Sequence, residues 1–471
     1  MKNIFILTLV LFIITPNLII SQQTWTLEDC INYAHQNNIQ IKRQELAADV
    51  AKNNYSRSKF EVLPDLNAGY SRDWNYGRYV DPFTNDFITQ NTISDDYYAQ
   101  SNLNLFNGFQ TYNSIQAAKY RFLSNKEEVE KVKNDITLQI AMSYLQILFS
   151  KELLEIARNQ YDVTLLQVEK TKKMVDVGNM ARGELYRMEA LAASEKLNIT
   201  NANNNLKLSY LDLTQLLDLD SAEGFEIVQP VNLDILTAET LSDVNTIYQQ
   251  ALENLPQIKS SEFMLKNSEK NLAVQRGKRS LHLSLQGTYY TGYSNARDQI
   301  DINAPYDEFV GYVHGDENQE VTKPSFRTMK YPYLDQLSDN TYKSLSFSLG
   351  IPIFNKRLVE NQISNAKISV LDAKYELELS KQILYKEIQQ AHTDAIAALD
   401  KYKASYEAVK ANEEAFKYTQ QKFDVGLVNS VDYNIAKTDL LKTRSELAQA
   451  KFEYIFKIKI LDFYAGKQII I

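Results

Sequence analysis

Residues 105–119, LFNGFQTYNSIQAAK, and residues 353–367, IFNKRLVENQISNAK, are two copies of one stretch. The match runs without a gap from Leu105–Leu213 to Ile353–Leu461, an offset of 248 (353 less 105). Along it Phe106-Asn107 falls on Phe354-Asn355, Ala118-Lys119 on Ala366-Lys367, Ile140 on Ile388, and Asp176-Val177-Gly178 on Asp424-Val425-Gly426. An earlier block, Ala34–Lys42 (AHQNNIQIK), matches Ala251–Lys259 (ALENLPQIK) at an offset of 217, so the second copy holds 31 more residues (248 less 217) between its blocks. A chain built twice on one plan forms a repeat or pseudo-symmetric architecture. The expected division is a signal peptide over 1–21, a first repeat over 22–219, a linker over 220–239 and a second repeat over 240–471.

Glycine and proline are absent for 69 residues from Phe109 to Val177 and for 71 from Asn355 to Val425. Both stretches are rich in good helix formers, and at 1.5 Å per residue each predicts a rod of about 100 Å. Ile115, Phe122, Val129 and Ile136 recur at heptad spacing, with Ala118 and Val132 on the neighbouring row and Asn125 and Gln139 interrupting it. Each rod therefore has a modest packing face and a large wet surface. Gly178 and Gly426 suit the left-handed position that ends a helix, and further helices are predicted over Glu184–Leu217 and Ser430–Tyr464. The plan is a long helical hairpin, present twice.

Ahead of each rod lie alternating apolar and polar runs: Leu63–Tyr70 and Gln100–Phe106 in the first copy, Leu281–Tyr289 and Leu345–Ile351 in the second. Such alternation predicts strands, close to the length that crosses a bilayer at a tilt. Tyrosines gather around them (Tyr70, Tyr97, Tyr98, Tyr289, Tyr290, Tyr342), as in the aromatic girdles of outer-membrane barrels. An ordinary half-buried sheet would read the same way. Four strands cannot close a barrel, and open edges are not tolerated in lipid, so insertion requires several chains to share one. Three chains give twelve strands; two give eight, whose interior side chains largely fill.

The chain opens with Met1-Lys2-Asn3, an apolar Ile4–Ile20 and a small Ser21, which predicts a secretory signal peptide rather than an anchor. A net charge of −8 and a pI near 5.3 argue against nucleic-acid binding. Cys30 is the only cysteine, which excludes internal disulfides and cysteine-based zinc sites. The four histidines are scattered, and no nucleophile elbow, P-loop or dinucleotide fingerprint is present. These absences point away from an enzyme and from any cofactor or metal.

A signal peptide, a strand pair and a very long helical hairpin, repeated over nearly the whole chain, resemble the TolC-like outer-membrane factor family. The resemblance rests on the gap-free repeat, on the Val-Gly turns with an acid six residues on (Gly178 to Glu184, Gly426 to Asp432), and on strands that lead into Phe-Asn. It implies long hairpins in a periplasmic α-barrel and four strands per chain in a trimeric 12-stranded outer-membrane β-barrel. It also implies a passive conduit of a tripartite efflux pump or type I secretion system, joined to an inner-membrane transporter through a periplasmic adaptor. By the same resemblance the turns at Gly178 and Gly426, with Asp176 and Asp424, form the periplasmic tip that meets the adaptor. Asp432 then rings the pore constriction, with Glu184 its repeat partner. The family's second acid is replaced by Ile435. A secreted coiled-coil protein or adhesin also accounts for the rods and the signal peptide, but leaves the matched strand pairs unexplained.

Overall fold

The computed structural model describes residues 24–80, 85–89, 91–229, 242–467 and 469; the predicted signal peptide lies outside them. In chain order the elements of the first copy are β1 (Thr24–Trp25), α1 (Leu27–Asn37), α2 (Ile39–Lys59), β2 (Asn67–Asn75), β3 (Tyr79–Val80), β4 (Phe87–Ile88), β5 (Thr92–Phe106), α3 (Gln110–Asp176) and α4 (Arg182–Leu216). There follow β6 (Glu226–Ile227), α5 (Val244–Asn254), α6 (Pro256–Gly277), β7 (His282–Ser294), β8 (Asp298–Val313), β9 (Asp316–Lys330), α7 (Tyr333–Asp339), β10 (Tyr342–Gly350), α8 (Leu358–Asp424) and α9 (Ser430–Tyr464). The duplication reaches the residue: every bound of α8 and α9 lies 248 positions after the matching bound of α3 and α4 (358 less 110, 464 less 216). Both long helices have 67 residues, so each is about 100 Å long. Among the described residues no helix is long and apolar enough to cross a membrane.

One compact unit comprises residues 1–50, 123–263 and 374–471. Its core is one design used twice. Ile136 and Ile140 of α3 pack with Cys30, Ala34, Ile41 and Leu213, and the equivalent Leu384 and Ile388 of α8 pack with Ile247, Ala251, Ile258 and Leu461. Cys30 occupies the place that Ile247 fills in the second copy, so it acts as a small apolar side chain, and burial pushes its thiol pKa up to about 12. The helix ends are closed by local chemistry. Thr26 and Asp29 form a reciprocal capping box on α1, and Asp243 caps α5. The expected linker over 220–239 contains a short ordered strand: β6 pairs in parallel with β1, and the buried Tyr144 donates to Val228 O at 2.6 Å. Residues 230–241 lie outside the described set.

The second unit comprises residues 51–122 and 264–373. Its centre is a four-stranded antiparallel sheet in the order β10-β7-β5-β2, whose two outer strands have free edges. The first strand starts at Asn67, not at Leu63 as the alternation predicts. Phe60–Val62 turn as a short 3-10 segment, and ahead of Asn67 the Asp65 carboxylate takes the Asn102 N–H at 2.6 Å while the Asp65 N–H donates to Asn102 O at 3.1 Å. Strands β5 and β7 run further than expected, to 15 and 13 residues.

The connection between β7 and β10 is itself ordered. It forms the long hairpin β8–β9 with Gly315 at its turn (φ +90°), followed by the short helix α7. Three register shifts and the paired-position prolines Pro305 and Pro324 break the alternation that would have revealed these strands. Helix α7 seals the edge of β7 beyond the end of β10. The Gln336 amide accepts from Ser294 N–H and donates to Ser294 C=O, both at 3.1 Å, as a paired strand would.

Candidate functional site: a two-faced sheet and two helical turns

Residues directly opposite in an antiparallel ladder share a face. In the sheet, Leu103, Leu285 and Phe347 align across three strands, as do Ala99, Tyr289 and Lys343, and Leu283 aligns with Leu349. The alternate rows are Asn102, Gln286 and Ser346; Asn104, Ser284 and Ser348; and Gln100, Thr288 and Ser344. One face is therefore mostly apolar, and the other carries these amide and hydroxyl rows, continued by Tyr98, Tyr290 and Tyr342 and by Asp96. Leu345, Phe347 and Leu349 are well exposed on the apolar side, with Leu345 at 75%. A sheet that folds in water does not present such a face uncovered.

At their C-terminal ends α3 and α8 stop in the same way. Gly178 and Gly426 take φ of +78° and +79°. In the first turn Gly178 N–H donates to Val175 O and Asn179 N–H to Met174 O; in the second Gly426 N–H donates to Phe423 O and Leu427 N–H to Lys422 O. This is the pair of bonds that closes a helix through a left-handed residue. A Cβ at either glycine would meet no atom within 4 Å, so backbone conformation, not space, selects glycine there.

The remaining candidate residues fall around these turns with different surroundings. Asp176 is exposed, whereas its counterpart Asp424 pairs with Lys170 at 2.7 Å. Asp432 lies in the first turn of α9, capped by Asn429, whose side chain accepts from both Val431 and Asp432 N–H. Its carboxylate side is exposed, and Ile435, one turn on, is 56% exposed. Glu184 is not equivalent to Asp432 in environment. Its carboxylate accepts from Ser430 N–H at 3.2 Å and meets Arg187 at 3.3 Å, so it sits against the positive start of α9. Behind the turns Met188, Phe423 and Tyr433 form a small buried core, with the two aromatic rings 4.8 Å apart.

Sequence reasoning missed a buried polar group just above this core. Lys437 of α9 and Glu195 of α4 form an ion pair at 3.0 Å with almost no exposure. Gln160 and Thr164 of α3 complete it: Lys437 donates to Gln160 O at 3.1 Å and contacts the Thr164 hydroxyl, which also contacts Glu195. Burial depresses the Lys437 pKa, and Glu195 partly restores it. A signal was present in the sequence, because Gln160 and Gln167, and Thr164 and Thr171, are polar pairs at heptad spacing.

The sequence profile of the outer membrane efflux protein family matches residues 30–218 and 247–456, one match per repeat. The chain is similar to the outer membrane protein TolC of Vibrio cholerae (20% identical, covering 93% of this chain and 90% of that one). It is similar to TolC of Escherichia coli (21%, covering 92% and 80%) and to the proteases secretion protein PrtF of Dickeya chrysanthemi (21%, covering 95% and 89%). Among solved structures, CusC shares the fold with a TM-score of 0.76 at 17% identity, covering 94% of this chain and 92% of that one. VceC from Vibrio cholerae shares it with a TM-score of 0.73 at 15%, covering 94% and 96%. These matches span both repeats and both units, and they do not favour a secreted adhesin. The chain belongs to the outer membrane efflux protein family, and it is an export channel of the outer membrane.

Proposed function

We propose that three copies of this chain form one gated, passive conduit that conducts without catalysing a reaction. The observation that carries this reading is the sheet, which has one face for lipid, one for water, and two free edges. Backbone groups at a free edge cannot be left unpaired in hydrocarbon, so β10 of one copy pairs with β2 of the next. Three four-stranded sheets give about twelve strands, an even number within the range of such barrels. The Leu/Phe rows face lipid and the Asn/Gln/Ser/Thr rows line the lumen. The names of the relatives, which include a proteases secretion protein, support an efflux pump or secretion system. A periplasmic adaptor and an inner-membrane transporter are the implied partners, and the transporter supplies the energy.

The helical hairpins occupy the periplasm, and each repeat (22–219 and 240–471, with 220–239 between) contributes one. The turns at Gly178 and Gly426, with Asp176 and Asp424, form the adaptor-facing tip. Asp432 and Ile435 line the constriction, and Glu184 braces it from the side. Reconstitution tests the reading directly. Cross-linked protein should run at three times the mass of the mature chain and form discrete cation-selective conductances in planar bilayers. Protein that remains monomeric in detergent and leaves bilayers silent would overturn it.

A further inference from the structure

The polar face of the four-stranded sheet changes character along its length. Beyond the amide and hydroxyl rows it turns aromatic: Tyr98, Tyr290 and Tyr342 stand directly opposite one another on β5, β7 and β10. They are not the membrane girdle, because Tyr70, Tyr97 and Tyr289 occupy the other face, the one given to lipid. Nor are they core, since Tyr98 and Tyr342 are 45% and 57% exposed. The fourth strand makes room for the row. Gly69 of β2 lies opposite Tyr98, and a Cβ built on it would stand 2.6 Å from Cε1, Cζ and the hydroxyl of that ring. Tyr98 therefore reaches sideways across Gly69 instead of rising from the sheet, with one flank on backbone and the other open.

Charge on these four strands is sorted by face. Their only lysine and arginine, Lys343 and Arg72, lie on the apolar side, where Lys343 shares a row with Tyr289 and Arg72 pairs with Asp95 at 2.6 Å. The other two acids, Asp73 and Asp96, lie on the polar side, which carries no lysine or arginine. Asp96 is the next residue of β5 on that face after Tyr98, and it accepts the Tyr290 hydroxyl, so a carboxylate is held at the margin of the tyrosine row.

Resting on the reading of this face as the channel lumen, we propose that the tyrosine row and its two acids form a binding station for organic cations on the barrel wall. The ligand is an ammonium group carrying methyl or aromatic substituents. Such a group is attracted at once to the face of a tyrosine ring and to a nearby carboxylate, whereas an organic anion of the same shape is repelled by the acids. Three copies set nine tyrosines at one level of the barrel, three from each chain. Because Tyr98 lies along the wall, the station leaves the passage open. Each contact is weak, which suits a conduit: a solute must be drawn in and still released readily.

Saturation-transfer NMR on cross-linked trimers in detergent tests the station, with benzyltrimethylammonium as the cation and benzenesulfonate as its anionic counterpart. The parent should bind the cation about tenfold more tightly than the sulfonate. Tyr98→Leu/Tyr342→Leu should weaken cation binding about fivefold, and Tyr98→Phe/Tyr342→Phe less than about twofold, because the ring faces remain. Asp73→Asn/Asp96→Asn should weaken it about threefold and still offer an oxygen to the Tyr290 hydroxyl, so it reports on the station even where the leucine variant fails to assemble. Cation binding unchanged in the leucine or the asparagine variant, or equalled by the sulfonate, overturns the station. Asp432→Ala should leave this binding as it is. If that substitution alone abolishes it, the cation sits at the constriction, and the station falls while the channel reading stands. Parent protein that forms neither trimers nor conductances brings down the channel reading and the station together.

Discussion

The carboxylate of Glu184, in the first turn of α4, accepts a hydrogen bond from the backbone N–H of Ser430, the first residue of α9, at 3.2 Å. The two residues are 246 apart in sequence and belong to different repeats. Among the described residues Asp432, the repeat counterpart of Glu184, makes no such cross-repeat bond, and its side chain is exposed. Duplicated acids have therefore diverged, one into a brace and one into a free charge. Glu184→Ala should lower thermal stability by about 1 kcal/mol, the scale of a lost helix-start contact. Asp432→Ala should leave stability unchanged and reduce cation selectivity and block by multivalent cations. Melting curves and reversal potentials measured on both variants check this pair of outcomes, which would be reversed if the roles were exchanged.

The two tip glycines offer a second prediction. At φ near +78°, a β-branched residue costs on the order of 1–2 kcal/mol, although nothing nearby obstructs a side chain. Gly426→Val and Gly178→Val should assemble into trimers yet lose export. Gly426→Asn should retain most of it, because asparagine tolerates the left-handed region. Export assays beside cross-linking distinguish a distorted tip from an unfolded chain, and full export by both valine variants would contradict the docking role.

Neighbouring positions on β10 should respond in opposite ways. Phe347 aligns with Leu103 and Leu285, and Ser346 with Asn102 and Gln286. Phe347→Arg puts a charge toward lipid at a cost of about 2–4 kcal/mol near the midplane, so membrane-inserted trimer should fall sharply. Ser346→Arg faces the lumen; it should assemble normally and lower single-channel conductance. Equal effects on assembly would mean that the faces are misassigned.

Orientation can be read from the turn of β8–β9. An epitope placed beside Gly315, in the left-handed turn position, should be labelled by antibody on intact cells. Labelling that appears only after the outer membrane is permeabilised would place this hairpin on the periplasmic side.

The pH dependence of stability includes an identifiable term from His35. Burial, assisted by the nearby Lys133, lowers its pKa below the ordinary 6.5, and its ring bonds the Thr137 hydroxyl at 3.0 Å. The unfolded chain therefore binds the proton more readily than the folded one. The stability that the neutral ring contributes is present above pH 6.5 and is lost as pH falls from there toward the depressed folded value. His35→Gln should flatten the stability profile between about pH 7 and pH 5, as followed by thermal melts across that range.

Helices were legible almost to the residue because their signals are local and dense. Ser430–Tyr464 was expected and is observed, and Gly178 and Gly426 end their helices where the Asp-Val-Gly triplets stand. Strands were less so. Leu63 alternates like a strand residue but follows directly on the 3-10 turn of Phe60–Val62, and β8–β9 hides its pairing behind acids, prolines and register shifts. The site was legible in position but not in role. Spacing placed Glu184 and Asp432 six residues beyond their glycines, yet only the folded chain shows that Glu184 reaches α9. Gln160, Thr164, Gln167 and Thr171 recur at helical spacing, but polar side chains in such a pattern suit a wet surface, and here they are buried. Their burial depends on partners in α4 and α9 that no local pattern announces.

The 31 extra residues of the second copy all but coincide with the β8–β9 hairpin, whereas the matching connection of the first copy holds only the short pair β3–β4 among the described residues. The two ends of an assembled channel would then have different rotational character. At the helical end, two nearly interchangeable hairpins per chain, taken three times, present a ring that repeats about every 60°. At the outward end the two connections of each chain differ greatly in length, so the ring repeats every 120°. A protein that grips the inner end could do so in six quasi-equivalent orientations, whereas a molecule arriving from outside would meet three long projections alternating with three short ones.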